Sequence, residues 1–98
     1  MTRHEALRRL TRNRERLRAF QVRHIAVFGS TARDQATPHS DVDVLVEFNQ
    51  QAQVGLFTFV RLLDFLTDMM GTRIDLATPA ALRPEMREEI LSEAVRAF

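Results

Sequence analysis

The chain has 98 residues, 45% of them hydrophobic and 28% charged, the size and balance of one domain with a modest core and not of a disordered segment. It has no cysteine, which excludes disulfides, thiolate chemistry and zinc ribbons, and no apolar run approaches the roughly 18 residues needed to span a bilayer. The polar, basic start lacks a hydrophobic signal core, so residues 1–98 read as a single soluble domain of the cytoplasm, with no membrane partner.

A net charge of +1 conceals an asymmetry: residues 1–24 carry eight arginines against Glu5 and Glu15, and the rest of the chain is acidic. There is no lysine, so every fixed cation is a guanidinium able to grip phosphate or carboxylate. Thr2 and Glu5 have the spacing of a capping box, and Ala6, Leu7, Leu10 and Leu17 form a thin apolar stripe, which predicts a helix from Arg3 to Ala19. Its arginine-rich remainder reads as a solvated face ahead of a nucleic-acid surface, with docking of an acidic partner as the alternative.

Residues His24 to Phe28 predict a first strand, with Ile25 and Val27 on one side and Ala26 and Phe28 on the other. Gly29-Ser30 ends it, Thr31 to Gln35 can form a turn or two of helix, and Thr37-Pro38 breaks that helix. Asp41 to Phe48 predicts a second strand, with Val42, Val44 and Val46 on the core face and Asp41, Asp43, Leu45 and Glu47 on the other. After a glutamine-rich loop, Gly55 to Met70 is the most apolar helix, striped by Leu56, Phe59, Val60, Leu63, Leu66 and Met70 and closed by Gly71. Arg73 to Ala77 predicts a third strand, Ile74 and Leu76 inward and Asp75 opposite. Thr78-Pro79 opens and Pro84 restarts a last helix, with Met86, Ile90, Leu91, Ala94 and Phe98 buried and Arg96 in its last turn. The expected order α-β-α-β-α-β-α describes an α/β fold of the α+β type. Its sheet is small, three-stranded and mixed, with about four helices packed on it, although spacing alone leaves strand directions open.

An acid inside an apolar strand is costly unless something compensates it. Asp41 and Asp43 project from the same face of one strand, where like-charge repulsion raises a pKa unless a cation sits between them. With no His or Cys nearby, such a pair suits magnesium, or manganese in its place, over zinc. Asp75 is a third carboxylate; if its strand lies beside the second, three acids meet on one patch, as in metal-assisted phosphoryl transfer. Gly29 permits a tight strand-to-helix turn, and Ser30 stands where helix amides bind anions. Arg33 can pair with a phosphate or with one of the aspartates, and Ser40 fixes the turn into the second strand. His4, His24 and His39 are scattered acid–base candidates without metal spacing, and Glu47 is a rim residue.

Together, G-S-x-x-R at Gly29, Ser30 and Arg33, S-D-x-D at Ser40, Asp41 and Asp43, and I-D-L at Ile74, Asp75 and Leu76 resemble the signature of the DNA-polymerase-β-like nucleotidyltransferase superfamily, in its minimal stand-alone form, the MNT domain. The resemblance implies the nucleotidyltransferase fold over nearly the whole chain. By position, Asp41 and Asp43 inherit binding of the metals and the nucleoside triphosphate, and Asp75 inherits help in holding the catalytic metal and activating the attacking hydroxyl. Gly29 and Ser30 inherit phosphate binding, with Arg33 and Ser40 counted among the nucleotide-binding positions. It further implies the antitoxin of a HEPN/MNT pair: a Mg²⁺-dependent enzyme that moves AMP from ATP to a tyrosine of a HEPN ribonuclease toxin held in a hetero-oligomer. Many relatives have glycine after the arginine, where this chain has Asp34, a residue that tolerates left-handed backbone better than most. A chain of 98 residues leaves little surface for holding RNA beside a catalytic core, and an acidic site repels it. Both points favour a protein acceptor and disfavour direct nucleic-acid binding. The alternatives are an antitoxin that neutralises its toxin by binding alone, and nucleotidyl transfer to an RNA or small molecule, which would call for an added acceptor domain.

Overall fold

In the computed structural model, which describes residues 1–98, helix α1 (Arg3–Arg12) begins where Thr2 Oγ1 accepts the Glu5 N–H at 3.1 Å. The reciprocal half of the capping box is not made, because Glu5 instead pairs with Arg9 Nη2 at 2.8 Å, one helical turn on. The single N-terminal helix expected from periodicity is two. Asn13 Nδ2 donates to the Arg9 carbonyl at 2.8 Å, the competition with backbone that asparagine brings to a helix interior, and α2 (Arg14–Ala19) starts afresh. Then follow β1 (Val22–Phe28), α3 (Gly29–Ala32), β2 (Val42–Phe48), α4 (Leu56–Met70), β3 (Ile74–Ala77), a 3₁₀ turn at Pro79–Ala81, α5 (Pro84–Glu93) and β4 (Val95–Arg96).

The sheet runs β3-β2-β1-β4 and is mixed: β2 is antiparallel to β1 and parallel to β3, and β4 is antiparallel to β1. It has one strand more than expected, because α5 stops at Glu93 instead of carrying on through Arg96. The tail turns extended at Ala94 and lies along the open edge of β1, where Ile25 donates to the Phe98 carbonyl at 3.2 Å and accepts from the Ala97 N–H at 2.9 Å. A continued helix would leave that edge unpaired.

Strand alternation sorts the apolar residues onto two faces as expected. On one face Ile25, Val27, Val42, Val44 and Val46 pack with Ala6, Leu10 and Leu17 of the N-terminal helices and with Leu62, Leu66 and Met70 of α4. On the other, a smaller cluster joins Ala26, Phe28 and Leu45 to Ile90 of α5. Arg9 clamps the first layer, donating from Nη1 to the Met70 carbonyl at 2.7 Å, just before Gly71 ends α4 in the left-handed region at φ 68°.

The stripe expected on α4 is displaced. The face turned inward is Leu62, Leu66 and Met70, flanked by Phe65 and Met69, while Leu56 is 77% and Phe57 84% exposed and Val60 is also at the surface. Apolar residues occur nearly all round this helix, so periodicity alone does not choose a face; anchoring of its C-terminus on α1 does. On α5 likewise only Ile90 of the expected stripe is buried, with Met86 and Leu91 exposed. Leu66→Ala is therefore expected to cost about 2–5 kcal/mol in urea unfolding, and Leu56→Ala less than about 0.5 kcal/mol.

Candidate active site

Strand β1 ends at Phe28, whose partner across the antiparallel ladder is Asp43. The next residue, Gly29, turns at φ 64° into α3, and its Cα faces the Asp43 carboxylate so closely that a Cβ there would collide with Oδ2. Only glycine meets both demands, since any other residue would add a side chain and a left-handed backbone cost. On the opposite side of β2, the parallel register with β3 sets Asp43 directly beside Asp75. Three segments separated in sequence thus meet at one end of the sheet, where Glu93 at the end of α5 reaches Gly29.

The electrostatics follow from this packing. Burial, the Asp75 and Asp41 charges and a hydrogen bond that the protonated Asp43 donates to Asp75 push the Asp43 pKa from the usual 3.8 up to about 6, while Arg33 pulls it down. The outermost of the three acids, Asp41, is exposed and lies 3.7 Å from Arg73 Nε. No three His, Asp or Glu side chains stand close enough to form a ready-made metal cage. That arrangement still fits magnesium, which is commonly held by one or two carboxylates together with substrate phosphates and water. The donors are all oxygen, and a cation held by Asp43 and Asp75 would relieve the repulsion that raises the Asp43 pKa.

Around the turn, Ser30 accepts the Gln35 N–H on its carbonyl at 2.8 Å and stands in the first turn of α3, where backbone amides lack intrahelical partners. Arg33 pairs with none of the aspartates: its Nη1 lies 3.0 Å from Glu93 Oε2 and its Nε donates to Gln35 at 3.2 Å. Asp34 adopts the left-handed conformation at φ 60° and accepts the Arg3 N–H on Oδ1 at 3.0 Å, so its side chain also ties α3 to the start of α1. Ser40 Oγ accepts the Thr37 N–H at 2.9 Å and so fixes the turn before β2. The histidines stand apart: His4 and His39 are exposed, and His24 Nδ1 lies 2.8 Å from Arg96 Nη2, four residues back along β1 from Phe28. Glu47 lines a separate hollow of about 160 Å³ with His24, Leu45 and Arg96.

One residue of this neighbourhood escapes a reading of the sequence. Glu93, the last residue of α5, accepts the Gly29 N–H on Oε1 at 3.0 Å besides its contact with Arg33. The sequence carries no signal for it, because the last helix reads as running on through Arg96 and only the structure ends it at Glu93.

A carboxyl whose folded pKa is raised binds its proton more tightly in the native than in the unfolded chain. Between pH 7 and about pH 4 the folded state therefore takes up the extra proton, and without metal the Asp43 contribution to stability rises as pH falls through about 6. Asp43→Asn should raise Tm at pH 7 and flatten that part of the profile. Thermal melts of both proteins at pH 7, 6 and 5 measure it, and parallel profiles would refute the shift.

The family model for the nucleotidyltransferase domain matches residues 9–97. Protein adenylyltransferase MntA of Thermococcus cleftensis is 38% identical over 87 residues, covering 88% of this chain and 86% of its own. Among solved structures, one assigned as a minimal nucleotidyltransferase superposes with a TM-score of 0.80 at 30% identity, covering 97% of this chain and 95% of its own. The complex of a tri-AMPylated Shewanella oneidensis HEPN toxin with its MNT antitoxin contains a chain that matches at TM-score 0.61 and 15% identity, over 91% of this chain and 70% of that one, and so shares the fold. With its carboxylate pair seated against a glycine turn and its match running through nearly the whole length, the chain belongs to the nucleotidyltransferase domain family.

Proposed function

We propose that this protein is the antitoxin of a toxin–antitoxin pair, a Mg²⁺-dependent adenylyltransferase that moves AMP from ATP to a tyrosine of a HEPN ribonuclease toxin in the cytoplasm. The observation that carries the reading is the meeting of Asp43 with Asp75 across a parallel register and with Gly29 across a turn. That places a shared negative site beside amides suited to an anion. The likeness to an adenylyltransferase of the same length class, and to the antitoxin chain of a complex whose toxin carries AMP, supports the choice of donor, reaction and partner.

In this reading residues 1–98 act as one minimal domain. Asp41, Asp43 and Asp75 would hold the metal, Asp41 by releasing Arg73. The bound ion would supply charge neutralisation on the phosphates and a lowered pKa for the acceptor hydroxyl. Gly29 and Ser30 receive the phosphates at the start of α3, and Arg33 adds a guanidinium at its end; Ser40 holds the turn that brings in β2. Asp75, in register with Asp43, takes the proton of the tyrosine as its oxygen attacks the α-phosphorus. The new O–P bond forms in line as the bond from the α-phosphorus to the bridging oxygen breaks and pyrophosphate departs. The site is an open rim, so the acceptor itself must exclude water.

Purified protein incubated with ATP, Mg²⁺ and its cognate toxin is expected to raise the toxin mass by AMP. Asp41→Ala combined with Asp43→Ala should lower that rate by about 10³-fold or more, as loss of a transition-state charge clamp does. Intact-mass spectrometry reads both. An unmodified toxin with full protection by the double variant would show neutralisation by binding alone, and label on RNA or a small molecule would redirect the acceptor.

A further inference from the structure

We infer that Glu93 is a positioning residue for the nucleotide: it braces Arg33 and the Gly29 turn in the form that receives a triphosphate. The inference rests on the adenylyltransferase reading, and it adds to it a residue on an element with no part in the signature.

The carboxylate of Glu93 joins two groups distant in sequence, accepting the Gly29 N–H on one oxygen and the Arg33 Nη1 on the other, both at 3.0 Å. Its place is unfavourable in itself. It closes α5, whose last turn has no basic residue, so a negative side chain faces the negative end of the helix. The compensation comes wholly from the phosphate turn. Arg33 is consequently held at two points, Nε on Gln35 and Nη1 on Glu93, which leaves Nη2 to meet an anion. A guanidinium fixed before the ligand arrives loses less freedom on binding than a loose one. The Gly29 N–H, already satisfied, serves to lock the left-handed turn that makes room for Asp43.

The competing picture makes Glu93 a stand-in for phosphate that must be expelled. The geometry disfavours it: the Glu93 side chain is only 23% exposed against 48% for Arg33, and expulsion would strand a carboxylate at a helix C-terminus. The two pictures predict opposite signs.

Calorimetric titration of the full chain with ATP and Mg²⁺, without acceptor, separates them. Glu93→Ala and Arg33→Ala should each weaken binding about tenfold, as loss of a charge-assisted contact does. Because Glu93 acts in part through Arg33, the loss in the double variant should fall clearly short of the sum of the two single losses. Glu93→Gln, whose amide oxygen can still accept the Gly29 N–H, should keep the wild-type Tm and yet bind ATP more weakly. Unchanged or tighter binding by Glu93→Ala, additive losses in the double variant, or wild-type affinity in Glu93→Gln would each overturn the proposal. Wild-type protein that binds no ATP would overturn the nucleotide reading itself, a result distinct from these.

Discussion

The Asp43 carboxylate lies against the Cα of Gly29 and beside Asp75, and the surrounding architecture can be understood as what brings those three groups within contact. The antiparallel register that pairs Phe28 with Asp43 delivers the turn to the acid. The parallel register of β3 delivers the second acid. A one-residue slip in either ladder would send a carboxylate into the valine face, so the apolar alternation that builds the core also holds the chemistry in register.

This arrangement is destabilising in isolation. Burial and two neighbouring carboxylates raise the Asp43 pKa to about 6, and nothing in the polypeptide neutralises it fully. The valine-rich face offsets the strain: Val44 and Val46 on β2, and Val27 on β1, are completely buried in a layer roofed by α1, α2 and α4. The second layer is thinner, three buried residues of β1 and β2 under Ile90 of α5, and it ends at Phe28, the cross-strand partner of Asp43. Rigid support on one side and an open rim on the other suit a site whose remaining ligands and acceptor come from outside.

Much of this was legible in advance because the signals were local. Alternation in Asp41 to Phe48 and His24 to Phe28 assigns faces directly, and the structure keeps those assignments. The left-handed backbone at Asp34 agrees with what the resemblance implies for the residue after Arg33, although its bond to the Arg3 amide does not follow from it. Readings that depended on which side of a helix meets the sheet fared worse. On α4 and α5 the apolar residues outnumber those that can be buried, and long-range contacts made the selection.

The sequence by itself determined the strand faces, the glycine at the turn and the spacing of three acids, because each is a matter of neighbours along the chain. The tertiary structure alone decided strand direction, the fourth strand drawn onto the exposed edge of β1, and the pairing of Asp43 with Asp75 instead of an even trio with Asp41. It also brought Glu93 to Gly29 and Arg33, from 64 and 60 residues away by number. Such contacts arise only when separately formed elements satisfy one another's unpaired amides and charges, and no periodicity in the chain encodes that.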